Sequence, residues 1–102
     1  MYDPRFINEQ TDMLADALLK LENREECYQF LEDLLTIREL TDLSQRLQVA
    51  KLLTEKVTYT DITQITGASS ATIGRVNRAL SYGANGYNII LKRLSDSGET
   101  HD

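Results

Sequence analysis

An all-α fold of five or six helices, two of them paired as a helix-turn-helix, is what this sequence predicts. Three observations carry it. Apolar residues recur at three- and four-residue spacing through most of the 102 residues. One proline and five glycines leave few breaks in long helices. Gly67 falls between two short amphipathic segments, where glycine reaches positive φ without a Cβ clash.

Taken in order, Met1–Ile7 reads as a loose arm, with Pro4 breaking any early helix. The first helix spans about Asn8–Leu21, with Met13, Leu14, Ala17, Leu18 and Leu21 along one stripe. Asn23 is an N-cap, and Glu26 stands at capping-box spacing from it. The second helix, about Arg24–Leu35, turns Cys27, Phe30, Leu31, Leu34 and Leu35 to its apolar side. Cys27 in that stripe reads as small core filler rather than a redox sensor. Thr36 and Glu39 repeat the capping-box pattern and open a third helix to about Thr54, with Leu40, Leu43, Leu47, Ala50 and Leu53 on one side. Asp42 and Arg46 on this helix are four apart and spaced to pair on the surface. Glu55–Val57 is a short link.

The helix-turn-helix occupies about residues 58–80. Ile62 and Ile65 mark the inner side of its first helix; Ile73, Val76 and Leu80 mark that of its second. Ser69 or Ser70 caps the second helix. With Ile73, Val76 and Leu80 turned inward, the 100° helical step points Ala71, Thr72, Arg75 and Arg78 outward. Small residues near the N-terminus of such a helix allow close approach to base edges, and the arginines reach phosphate, a base or a carboxylate. An ordinary helical hairpin with a solvated basic face has the same pattern. Gly83 and Gly86 punctuate a turn before a last amphipathic helix carrying Tyr87, Ile90, Leu91 and Leu94. One domain is expected over 1–94, and a disordered acidic tail over 95–102, which holds the one histidine, His101.

The formal net charge of −5 is uneven. Residues 1–57 carry −5, residues 58–94 carry +3 and residues 95–102 carry −3, so positive potential is local to the motif and the last helix. Overall acidity argues against indiscriminate coating of nucleic acid. A single cysteine excludes an intramolecular disulfide and a cysteine-rich zinc site. With no signal peptide and no membrane-length apolar run, a soluble cytoplasmic protein is expected, without metal or cofactor. Carboxylates are scattered over helix faces, with no nucleophile–base pair, metal-ligand spacing or phosphate loop, so the chain does not read as an enzyme.

Four stretches together resemble a known family: Asp33–Leu40, Leu43–Leu53, Gly67–Arg78 and Tyr82–Tyr87. Over about residues 24–94 they are similar to the Trp repressor superfamily, and more closely to its YerC/YecD-type branch. The resemblance implies an intertwined all-α homodimer whose two heads read successive major-groove turns of double-stranded DNA. By position it implies DNA contacts at Thr60, Thr63, Ser70, Ala71, Thr72 and Gly74; phosphate anchoring then falls to Arg78 and neighbouring basic residues on the outward face of the motif. It also implies that Arg46 and Arg75, with Thr36, hold an amino-acid corepressor. Val76 and Ala79 depart from the family's glycine and serine at the ligand site, which argues against tryptophan and for another small amino acid or none. The function implied is a sequence-specific transcriptional regulator, a repressor of an amino-acid operon. A ligand-independent DNA-binding module and a helical protein–protein interaction module are the alternatives.

Overall fold

The computed structural model describes Tyr2 and residues 4–97. Among the described residues the secondary structure is six helices and no strand: α1 (Glu9–Leu19), α2 (Arg24–Leu34), α3 (Ile37–Thr54), α4 (Tyr59–Thr66), α5 (Ser70–Tyr82) and α6 (Gly86–Asp96). α6 runs two residues into the stretch expected to be tail; residues 98–102, with His101, lie outside the described residues. No helix among the described residues is long and apolar enough to cross a membrane. The chain divides into two compact units, one up to Leu40 and one from Thr41.

In the first unit each helix start is fixed by a polar side chain that satisfies free backbone N–H groups. Asn8 accepts from the Thr11 N–H while the Thr11 hydroxyl oxygen accepts from the Asn8 N–H, closing a reciprocal box at α1. Asn23 accepts from the Glu26 N–H at α2, but the Glu26 carboxylate turns back to the Glu22 N–H. The expected box at Asn23 is therefore half formed: a carboxylate on a flexible stem reaches the N–H one residue further out. At α3 the box is complete, with Thr36 N–H donating to Glu39 Oε1 and Glu39 N–H donating to Thr36 Oγ1. No residue of α1 or α2 is buried. Leu19 is 82% exposed, Met13 75% and Ile37 76%, and Leu14, Leu18 and Leu34 are exposed as well.

The core lies in the second unit. Val49 and Ala50 of α3, Ile62 of α4, Ala68 of the turn, and Ile73 and Val76 of α5 are fully buried against one another. Leu52, Leu53, Val57, Leu80, Tyr87 and Leu91 pack around them, so α6 closes onto the same nucleus through Tyr87 and Leu91. Ile65, expected inside, is 56% exposed. The inner face of α4 runs through Ile62 and half-buried Thr66, four apart, which leaves Ile65 turned toward solvent.

Three turns use left-handed backbone, at Lys56, Gly67 and Asn85, the last at φ 72° before α6. At the end of α3 the Val57 N–H donates to the Leu52 carbonyl and the Lys56 N–H to that of Leu53, with Lys56 at φ 66°. These are the two bonds of a Schellman cap, a motif usually built on glycine, and Val57 is the apolar residue that completes it. Gly67 ends α4 at φ 78°. Gly83 serves differently: a Cβ there would come 2.5 Å from the Ala79 carbonyl oxygen.

Lys56→Gly is expected to raise stability by about 0.5–1 kcal/mol by relieving the left-handed lysine, and Gly67→Ala to lower it by about 1–2 kcal/mol, both read from urea midpoints. The α3 cap adds a pH dependence. The Glu39 carboxyl is held below its usual value of 4.5, first by the Thr36 backbone N–H and then by the Thr36 hydroxyl. A carboxyl depressed on folding stabilises above its unfolded pKa and ceases to as pH falls through the folded one. The stability difference between the wild type and Glu39→Gln should therefore hold from pH 7 to about 5 and shrink below about 4.5 in pH-dependent urea melts.

Candidate nucleic-acid interface

Thr58 caps α4, its Oγ1 accepting the Asp61 N–H at 3.2 Å. At the other end of α4 the Thr66 hydroxyl donates to the Ile62 carbonyl at 2.8 Å and accepts the Ala68 N–H at 3.0 Å. Gln45 of α3 donates to the Thr66 carbonyl at 3.1 Å, so the turn is tied to the helix beneath it. Ala68 is driven into the core and leaves Ser69 as the N-cap of α5, its Oγ accepting the Thr72 N–H at 3.1 Å. Ser70, the alternative cap, is the first residue of the helix. Turn angle and helix start are thus set by side-chain bonds to the backbone and one buried alanine.

This frame fixes what α5 presents. Ile73 and Val76 are buried, and Ser70, Ala71, Arg75 and Arg78 are exposed, as the helical step requires. Gly74 and Thr72 are half-buried. The Thr72 hydroxyl accepts from Ser69 Oγ at 3.2 Å, so it is partly committed to the cap. Thr60 and Thr63, three apart on one side of α4, are both exposed. Thr60, Thr63, Ser70, Ala71 and Arg78 therefore stand at the surface of the helix-turn-helix. Arg78 makes no ion pair or hydrogen bond through its side chain among the described residues.

Beside this surface, Asp42, Gln45 and Arg46 of α3 and Thr72 and Arg75 of α5 line a polar pocket of about 160 Å³. Asp42 and Arg46 do not form the surface pair that their spacing allows; the ion pairs among the described residues are Lys51–Glu55 at 2.7 Å and Lys92–Asp96 at 3.2 Å. Two guanidinium groups and one carboxylate leave the pocket with excess positive charge, and neither arginine is neutralised by an ion pair among the described residues. The arrangement suits a small anion. Val76 faces away from it, into the core, and Ala79 lines a separate apolar groove of about 390 Å³ with Leu47, Ala84, Gly86, Tyr87 and Ile90. Thr36 belongs to the first unit, where its Oγ1 takes the Glu39 N–H. Gln45 is the residue of this region that sequence reasoning misses; a glutamine within an amphipathic helix gives no sign that it will bridge to a carbonyl 21 residues away.

Comparison with known proteins agrees with this geometry. Residues 9–95 match the family described as Trp repressor protein. The chain is 47% identical over 88 residues to YerC of Bacillus subtilis, an uncharacterized protein, covering 86% of this chain and 85% of that one. It superposes on the crystal structure of a Trp-repressor-type protein from Staphylococcus aureus with a TM-score of 0.85 at 52% identity, covering 89% of this chain and 91% of the other. A TrpR-like protein from Eubacterium eligens gives 0.83 at 49% identity, covering 86% and 91%.

Ser69→Ala is expected to cost about 1 kcal/mol by leaving the Thr72 N–H without its cap, while Ser70→Ala costs a few tenths at most; urea midpoints of the two variants separate the residues.

Proposed function

The chain belongs to the Trp repressor family, a family of DNA-binding transcription regulators rather than enzymes, and from that premise we propose that it acts as a sequence-specific homodimeric repressor of an amino-acid operon. The observation that carries the reading is the outer face of α5: small side chains at Ser70 and Ala71 over its first turn, then an unpaired arginine at Arg78. Small residues let the helix enter the major groove closely, and Thr60 and Thr63 of α4 meet the flanking backbone.

The dimer is supported by the apolar surface that one chain leaves uncovered. α1 and α2 bury no residue, and Leu47 borders both the 390 Å³ groove and a second of about 300 Å³. Exposed apolar surface of this extent, present in each unit, marks an association face. Pairing two chains also doubles the four positive side chains of residues 58–94 and sets two heads about one helical turn of DNA, roughly 34 Å, apart.

For regulation, we assign the pocket of Arg46 and Arg75 to the carboxylate of a small amino acid. The pocket's 160 Å³ is below the roughly 300 Å³ at which drug-sized ligand sites begin, which suits a ligand smaller than tryptophan. Buried Val76 adds bulk behind it.

The test is binding to fragments upstream of amino-acid biosynthesis operons from the source genome, at 50 and 200 mM salt, with and without a panel of free amino acids. One fragment should bind tightly, lose on the order of 100-fold in affinity between the two salts, and bind more tightly with one amino acid. Arg75→Ala should remove the amino-acid effect. Binding indifferent to every amino acid leaves a ligand-independent DNA-binding module. Absence of salt-sensitive binding turns the assignment to a protein–protein interaction module.

A further inference from the structure

Gly74 stands in the second turn of α5, and nothing inside the molecule asks for a glycine there. Unlike Gly67 it has no positive φ, and unlike Gly83 it has no backbone pressed against it. A Cβ at position 74 would meet only Arg78 Nη1, at 3.8 Å, an ordinary contact. Glycine is the poorest helix former after proline, so α5 carries a weak residue without an internal reason.

The neighbour across the gap supplies one. Helical side chains lean toward the N-terminus, so the residue four positions on covers the surface above the earlier one. Arg78 does so here: its guanidinium lies over Gly74 rather than extending past the end of the helix. It is exposed and makes no hydrogen bond or ion pair among the described residues, so its donors are unspent. The planar fork thus rests one turn beyond Ser70 and Ala71, mid-way along the face that the DNA-binding reading turns toward the major groove.

We infer that Gly74 and Arg78 form one base-reading unit, in which the lack of a bulky side chain at 74 leaves room for Arg78 to lie along the helix and take a guanine through O6 and N7. The inference rests on the DNA-binding reading of α5. It changes the task of Arg78 from holding phosphate, the role its place late in the helix suggests, to determining specificity. An arginine fork matches the two acceptors of guanine in the major groove; a lysine, equal in charge, does not offer the planar pair.

The test begins with selection of sites from a random duplex pool by the full chain. Kd is then measured for the selected site and all its single-base variants with wild type, Arg78→Lys, Arg78→Ala and Gly74→Leu, each checked for folding by thermal melting. The wild type should prefer guanine at one base pair of each half-site by roughly 10- to 100-fold. Arg78→Lys should lose that preference while keeping those at other positions. Gly74→Leu, which displaces the guanidinium, should lose it at the same base pair, and the double variant should lose no more there. The inference is overturned if Arg78→Lys keeps the guanine preference. It is equally overturned if Arg78→Ala weakens binding to every sequence alike and lowers the salt slope by about one per subunit, the mark of a phosphate contact. A wild type that selects no sequence at all removes the DNA-binding reading itself, and this inference with it.

Discussion

Six buried side chains decide where everything else in the second unit points. Val49 and Ala50 of α3, Ile62 of α4, Ala68 of the turn, and Ile73 and Val76 of α5 meet at a single nucleus. Each of the four large ones contributes on the order of 1.5–3 kcal/mol by leaving water. The two alanines let backbones come close where a larger side chain would hold them apart. With Ile73 and Val76 inside, helical geometry leaves α5 no choice about which residues face out. The outer face is specified by the inner one, and the cost of rotating α5 is the cost of emptying that nucleus.

Much of this is legible in the residues. Helical periodicity locates all six helices, Gly67 marks the turn, and the Thr36–Glu39 spacing places the start of α3. Inward Ile73 and Val76 follow from spacing alone. The features that escape are decided by local competition or by geometry without a residue signature. Glu26 has two backbone N–H groups within reach and takes that of Glu22. Left-handed Lys56 and Asn85 occupy positions that glycine usually marks, and the glycines at 83 and 86 beside Asn85 do not themselves take positive φ. Ile65 satisfies the spacing rule, but the inner side of α4 runs through Ile62 and Thr66 instead. Asp42 and Arg46 have pairing distance in sequence, yet both turn to the pocket shared with Arg75. At the candidate site, spacing identifies the exposed residues of α5 but not that the hydroxyl of Thr72 joins the Ser69 cap.

The first unit poses the opposite problem from the second. Its helices are well capped, with boxes at Asn8 and Thr36, yet they enclose nothing. Caps specify where a helix begins; they do not supply the burial that keeps it folded. Periodicity alone therefore describes the stripes of α1 and α2 correctly as helical and says nothing of what they lie against. If the proposed pairing of chains covers these stripes, folding of the N-terminal helices and association become one equilibrium, and stability would rise with protein concentration.

The bond from Gln45 to the Thr66 carbonyl has a mechanical meaning. Gln45 and Arg46 are consecutive on α3: one grips the last turn of α4, and the other lines the polar pocket. If the pocket takes an anion as proposed, a shift of α3 that carries Arg46 also carries Gln45, and through it the turn between α4 and α5. Pocket and turn would then be joined by neighbouring residues of one helix and one hydrogen bond of 3.1 Å. Such a linkage works in both directions: duplex that holds the hinge still would also hold Arg46 in place for the anion.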